Sequence, residues 1–185
     1  MTPAQPTSKN DNVVPQVASA QPADGRAPID GVAAVLGKIP SGLFVVTWLE
    51  QSQDRGMLAS WVMQAGFQPP LIMIAIDRSR NLLTAIEQGS PFVVNVLGES
   101  QRGLLAKFGR SGSSGENPFT GLTIVRTPCG AAAIDGSVGW LECRCSGIPL
   151  GQDGEHAVVI ATITAACAGS AEVPLVHLRR NGLRY

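Results

Sequence analysis

The residues that could do chemistry are few in this chain of 185 residues. The two histidines, His156 and His177, belong to no HxxE, HExxH or CxxC pattern, so the sequence predicts no metal site. Cys143 and Cys145 would share one face of a strand, but two thiolates leave a metal site incomplete, and small core-filling side chains are the favoured interpretation. Ser60 lacks the GxSxG context of a nucleophile, which argues against a hydrolase.

A basic turn offers a different chemistry. Arg78, Ser79 and Arg80 directly precede a predicted helix over residues 81–88. Guanidinium groups, a hydroxyl and the N–H groups of a helix start are donors that bind phosphate. The alternative is that Ser79 caps the helix while both arginines are solvated, and the spacing favours neither interpretation.

The segment MLASWVMQAGFQPP, at residues 57–70, is the second candidate. It opens as a strand and then loosens at Ala65, Gly66 and a double proline. Backbone of this kind exposes N–H and C=O groups, to which an aromatic ring system could hydrogen-bond. Together with the basic turn, the segment predicts a site for a phosphorylated planar cofactor.

The elements that must position these residues are mainly strands. Runs rich in Val, Ile and Thr, separated by Gly, Pro, Asn and Asp, predict strands over residues 43–49, 57–63, 71–77, 92–97, 122–126, 138–147, 156–165 and 174–178. Apolar spacings of three and four predict helices over residues 29–36, 81–88 and 101–108. The predicted fold is mainly β: an antiparallel barrel or sandwich with a few short capping helices.

Composition and charge indicate which part of the chain folds and which classes of partner are excluded. Residues 1–27 hold four prolines and no aromatic, which predicts a flexible tail before a domain over 28–185, and the Gly- and Ser-rich residues 109–117 predict a mobile loop. Fourteen basic and fourteen acidic residues cancel, which argues against nucleic-acid binding. Apolar runs fall well short of the ~20 residues that span a bilayer, and without a secretory signal we expect a cytoplasmic, reduced protein. The 44% of hydrophobic and 15% of charged residues favour oligomerisation.

Six blocks of sequence occur in an order that resembles the flavin reductase-like, FMN-binding split-barrel family. They are GMLASWVMQAGFQPPLIMIAID with the basic turn after it, SPFVVNVL, LLAKFGR, WLECR, GEHAVVIATI and PLVHLRRNGLRY. The similarity runs from about Ile29 to Tyr185. It is greatest to the flavin reductase-like module at the C-terminus of the flavodiiron proteins of oxygenic phototrophs.

The resemblance implies an antiparallel split barrel of Greek-key topology that forms a homodimer, with FMN near the interface and FAD as the alternative flavin. It implies flavin contacts from Ala59, Ser60, Trp61 and Val62 along the ring and ribityl chain, Gln64 and Ala65 along the pyrimidine side, Arg78, Ser79 and Arg80 at the phosphate, and Lys107, Phe108 and Gly109 over the ribityl and phosphate. Leu58 stands where many members carry a threonine, which removes a possible hydroxyl donor.

The resemblance also implies an activity: hydride transfer from NAD(P)H, a transient substrate, to flavin, with electrons passed on to a monooxygenase or a flavodiiron-like partner. His156 follows Gly-Glu where many members have Gly-Asp-His, which places it near the nicotinamide or the flavin as a candidate catalytic residue. A strand-end histidine bound to a backbone carbonyl is its alternative. For the whole chain, the alternatives are a non-catalytic module that binds flavin, haem or pyridoxal phosphate as an electron-transfer partner, and a subunit that has lost the flavin.

Overall fold

The structure is a computed structural model, and it describes residues 29–109, 117–148 and 154–183. The predicted tail, residues 1–27, and residues 110–116 of the predicted loop lie outside the described residues. The described helices are α1 (Ile29–Leu36), α2 (Asn81–Glu87) and α3 (Leu104–Gly109), and a 3-10 helix (Glu99–Gly103) precedes α3. The strands are β1 (Ser41–Gly42), β2 (Phe44–Glu50), β3 (Gln53–Ala59), β4 (Val62–Phe67), β5 (Pro70–Asp77), β6 (Phe92–Val96), β7 (Ile124–Arg126), β8 (Ala132–Ile134), β9 (Gly139–Gly147), β10 (His156–Ala168) and β11 (Val176–His177).

Seven of these strands form one antiparallel sheet in the order β3-β2-β6-β9-β10-β5-β4. If the sheet were flat, its two edges, β3 and β4, would lie about 29 Å apart, because neighbouring strands are spaced by about 4.8 Å. Only Ser60 and Trp61 separate β3 from β4 along the chain, however, and the three steps from Ala59 to Val62 reach at most about 11 Å. The sheet must therefore curl until the end of β3 lies near the start of β4, as in a split barrel, and in the described sheet these two edges do not pair.

The barrel interior is filled by the alternating side chains of the central strands. Ile74 and Ile76 of β5 and Val159 of β10 are among the fully buried members of the main core. A second core, which includes Phe108 and Phe119, lies where α3 packs on β3. Gly56 allows this approach, since a Cβ there would lie 2.7 Å from Phe108 Cε1.

The predicted fold class is confirmed: the chain is a mainly β, antiparallel split barrel with few and short helices. The helix predicted over 29–36 is confirmed at both ends, and the helix predicted over 81–88 ends at Glu87. The single strand predicted over 57–63 is wrong, because the chain changes sheet edge at Ser60 and Trp61.

Two further differences concern short elements. The helix predicted over 101–108 is divided between the 3-10 helix and α3. The strand β8 was not predicted, because its three apolar residues show no alternation from which a half-buried strand could be read. It forms a separate two-stranded sheet with β7.

Candidate functional site

The crossover between the two edges of the barrel holds the first predicted contacts. Ala59 and Ser60 are buried, and the Trp61 carbonyl accepts a hydrogen bond from the Ala75 N–H at 3.0 Å. Ser60 is 6% exposed, yet its Oγ makes no hydrogen bond within the described residues. A buried hydroxyl is normally paired, so this atom fits a site that a polar ligand completes.

Trp61 forms one wall of the site with residues from two distant segments. Its ring centroid lies 4.7 Å from that of His156, with 54° between the ring planes. The Cζ atom of Arg179 lies 4.9 Å from the Trp61 ring centroid, within the range of a cation–π contact. His156 is half-buried and pairs with Asp77 across β10 and β5. The structure thus places the rings of Trp61 and His156 in contact and adds Arg179 to them.

The basic turn after β5 differs from its expected arrangement. The Ser79 N–H and hydroxyl both donate to Asp77 Oδ1, at 2.8 and 2.7 Å. These two hydrogen bonds, of which the one from the hydroxyl has the larger effect, hold the pKa of Asp77 below its usual value. The donors of Ser79 are thus already engaged, and the N-cap of α2 is Arg80, which makes no side-chain capping bond. The alternative in which Ser79 caps the helix is therefore wrong.

The two arginines of the turn remain as anion-binding candidates. Arg78 is exposed, and its Nε–H donates to the Gly154 carbonyl at 3.0 Å, while Arg80 is half-buried. The Asp77 carboxylate beside them opposes the approach of an anion, so the guanidinium groups must outweigh it. An Asp followed two residues later by a bonded N–H is a common turn pattern, and D-R-S in the sequence carries that signal.

β4 is an edge strand that continues to Phe67, so the loosening predicted at Ala65 and Gly66 is a bulge within the strand. Gln64 pairs with Ile72 and Gly66 with Leu71, which leaves Ala65 as a bulge without a partner. Gln64 and Ala65 are both exposed. An edge strand keeps one row of N–H and C=O groups outside the sheet, and a bulge redirects some of them.

The residues at the end of α3 mainly support the strand beside the site. Phe108 is 2% exposed and packs edge-to-face on Phe119 with ring centroids 5.3 Å apart, so its side chain belongs to the second core. The Lys107 ammonium donates to the Thr120 carbonyl at 2.9 Å. A Cβ at Gly109 would lie 3.6 Å from Leu58 Cδ2, which places the end of α3 beside the strand that leads to Ser60. Leu58 itself packs against the second core.

Cys143 and His177, the other chemical candidates of the sequence, lie in structural surroundings. Cys143 is fully buried in the main core, and burial raises the pKa of its thiol to about 12, so it acts as a neutral apolar side chain. His177 is half-buried and pairs with Ser41 between β11 and β1. Over the described ranges, no three His, Cys, Asp or Glu side chains form a group that could hold a metal ion. Nor does any described helix have the length and apolarity to cross a membrane.

Comparison with known proteins relates this geometry to a family. The profile of the family described as "Flavin reductase like domain" matches residues 36–182. A flavin reductase of Pseudomonas putida is 30% identical over 147 residues, which cover 79% of this chain and 84% of that protein. The solved structure of an NADH:FAD oxidoreductase of Streptomyces globisporus C-1027 is 26% identical with a TM-score of 0.70, covering 80% of this chain and 86% of that one.

Similarity also extends to larger proteins. Diflavin flavoprotein A 4 of Nostoc sp. strain PCC 7120 is 37% identical over 117 residues, which cover 63% of this chain. The match takes up only 20% of that protein's length. The chain therefore corresponds to one part of such proteins.

Proposed function

The chain belongs to the flavin reductase-like domain family, and on that premise we propose that it binds FMN and transfers hydride from NADH or NADPH to the flavin. The single observation that carries the proposal is the buried, unpaired hydroxyl of Ser60 beside the wall of Trp61 and His156. A polar ring edge at this position would satisfy the hydroxyl, and an aromatic wall suits a planar ring.

In this proposal the residues divide into four groups by the part of the flavin that they contact. Ala59, Ser60, Trp61 and Val62 contact the ring and ribityl chain, the edge at Gln64 and Ala65 hydrogen-bonds the pyrimidine side, Arg78 and Arg80 bind the phosphate, and the segment Lys107–Gly109 lies over the ribityl. The edge position of β4 and its bulge support the second group. Ser79 is assigned a supporting role, because its donors bind Asp77 and so shape the turn that carries the arginines.

The flavin, once bound, supplies the chemistry by accepting hydride from a nicotinamide. The chain's own task is to orient both rings and to exclude water. Trp61 provides an apolar surface, and His156, at the start of β10, has its ring centroid 4.7 Å from that of Trp61, where it could orient a nicotinamide. We assign no proton transfer to His156, since hydride transfer does not require a general acid.

The test is the anaerobic reduction of the flavin-loaded protein. We expect a yellow protein whose flavin absorbance bleaches when NADH or NADPH is added, with one nucleotide acting faster than the other. Parallel titrations with FMN and FAD decide which flavin is preferred, since the relative of known structure in Streptomyces is named for FAD. A protein that binds neither flavin would contradict the proposal.

A non-catalytic electron-transfer module is the second candidate function. The observation that favours it is the match to diflavin flavoproteins, of which this chain resembles only one part. The same experiment separates the two, because a module of this kind would bind flavin and stay yellow with either nucleotide. In both cases the electrons would pass to a partner, such as a monooxygenase or a flavodiiron-like protein, in the cytoplasm, where the free thiols of this chain would persist.

A further inference from the structure

The C-terminal segment 176–183, here called the C-terminal strap, is attached to the end of α1. The Arg179 N–H donates to the Gly37 carbonyl at 3.0 Å, and the Gly182 N–H donates to the Ala33 carbonyl at 2.8 Å. Gly37 follows the end of α1, where carbonyl groups lack intrahelical partners, and its carbonyl is bonded by the strap. The Ala33 carbonyl also accepts the Gly37 N–H at 3.0 Å, so the strap gives it a second hydrogen bond. Val176 adds a second attachment through its pairing with Gly42 of β1.

Two glycines allow the C-terminal strap to lie close to α1. A Cβ at Gly37 would lie 2.6 Å from the Arg179 carbonyl oxygen, and one at Gly182 would collide with the Leu36 Cβ. Neither glycine has a positive φ, so the requirement is one of space and not of backbone conformation. The distance between α1 and the strap is therefore set by the absence of two side chains.

The strap carries the Arg179 side chain onto Trp61. The guanidinium carbon is 4.9 Å from the indole centroid, and the indole in turn contacts His156. Arg179 is half-buried, whereas its neighbour Arg180 is exposed. A planar guanidinium on an aromatic face restricts the ring's orientation, and a lysine cannot fully replace it.

We propose that Arg179 is a positioning residue, which holds the Trp61 ring against His156 because α1 and the C-terminal strap fix its backbone. The inference rests on the proposed function for its catalytic consequence, since the Trp61 ring would be the surface on which flavin and nicotinamide are oriented. The contact itself exists in the flavin-free chain and can be measured there. This gives the proposal a readout independent of activity.

The first experiment follows the indole N–H signal of Trp61 in the NMR spectrum of the full chain without flavin, identified by its loss in Trp61→Phe. We expect this signal to move in Arg179→Gln, which removes the guanidinium, and in Gly37→Ala, which displaces the Arg179 backbone. Arg180→Gln and Gly31→Ala are the matched controls, because Arg180 is exposed and a Cβ at Gly31 meets no atom within 4 Å. An unmoved signal in Arg179→Gln, or an equal movement in Arg180→Gln, would overturn the proposal.

The second experiment measures steady-state kinetics of the flavin-loaded variants. We expect Arg179→Gln to raise KM for the nicotinamide roughly threefold to tenfold while kcat changes less, as for the loss of one stacked cation. A thermal melt close to wild type distinguishes this from general unfolding, and if Gly37→Ala fails to fold, Arg179→Gln decides alone. If wild type does not bleach, the proposed function fails, and the indole signal still decides whether Arg179 positions Trp61.

Discussion

Ser60 lies at the crossover from one barrel edge to the other, buried and with its hydroxyl unpaired in the described chain. Leaving a buried hydroxyl without a partner costs about 1–3 kcal/mol. Among the described residues, four other buried side-chain polar atoms share this condition, but Ser60 is the one that also lies among the predicted flavin contacts. If the flavin contacts this hydroxyl, as proposed, binding would remove this local cost.

Ser60→Ala should have opposite effects on the two states. We expect the flavin-free protein to keep its stability or gain up to about 1 kcal/mol, because the unpaired group is gone. The flavin dissociation constant should rise about threefold to tenfold, the loss of one neutral hydrogen bond. Urea unfolding and flavin titration measure the two quantities.

Ser137→Ala is the control, since Ser137 is also buried with an unpaired Oγ but is not among the predicted contacts. It should affect stability alone. Unchanged flavin affinity in Ser60→Ala would show that the hydroxyl does not contact the ligand.

The basic turn makes a second prediction at this scale. Changing Arg78 and Arg80 together to alanine should raise the FMN dissociation constant roughly tenfold or more, because charge-assisted bonds to the phosphate are lost. Riboflavin, which has no phosphate, should bind about as before. Fluorescence quenching titrations with both ligands give the ratio.

Arg102→Ala is the matched control for the pair, because Arg102 is an exposed arginine whose partner is Glu99. An equal loss for FMN and riboflavin would place the phosphate elsewhere. The Asp77 carboxylate in the same turn repels an anion. A loss of FMN affinity in the double variant would therefore show that the two arginines outweigh this repulsion.

At the scale of elements, Glu142 shows how β9 holds the turn between β7 and β8. Its side chain is 4% exposed, Oε2 accepts the Cys129 N–H at 2.7 Å, and Oε1 accepts the Thr164 hydroxyl at 3.0 Å. Burial raises the pKa of Glu142, but these hydrogen bonds outweigh it and the net pKa is lowered. The ionised carboxylate is thus the form that the fold stabilises.

A lowered folded pKa fixes the sign of the pH dependence. The contribution of Glu142 is fully present above its unfolded pKa of about 4.3 and is lost as the pH falls through the folded pKa. Glu142→Gln should therefore destabilise the protein at neutral pH by about 1–3 kcal/mol and flatten the loss of stability on acidification. Urea unfolding at a series of pH values from 7 down to about 3 measures both effects, and Glu99→Gln, at an exposed ion pair, should change neither.

At the scale of the whole molecule, the exposed edge of the barrel is unusually apolar. Phe67 is 87% exposed and Met63 is 57% exposed, both on β4. Large apolar side chains on an open strand edge are a liability for a monomer and a common feature of contacts between subunits. We therefore expect a homodimer, as the family resemblance implies, with β4, which carries Gln64 and Ala65, at its interface.

We expect light scattering to give twice the 19.3 kDa mass of one chain at micromolar concentration. An interface of a specific dimer buries at least about 1,200 Å², so one charge at its centre should weaken it strongly. Phe67→Glu should shift the protein toward monomer. Val125→Glu, at a 50% exposed valine of β7, should not, and a monomeric wild type would contradict the dimer.

Much of this organisation could be read from local pattern. The spacing of apolar residues determined α1 and α2, and the β-branched runs determined most of the strands. The order of six motifs was sufficient to identify the family, and the basic turn was located before a helix that begins at Asn81 as predicted. These features depend on neighbours within a few residues, which the sequence displays directly.

Other features depend on how the sheet closes, and only the tertiary structure decided them. The break at Ser60 and Trp61 follows from the approach of two barrel edges. The hydrogen bonds between Ser79 and Asp77 follow from the path of one turn. The contact of Arg179 with Trp61 follows from the docking of the C-terminal strap on α1. Each joins groups whose separation is set by packing between elements and not by their spacing along the chain. A pattern that reports which face of an element is apolar cannot report which partner that face will meet.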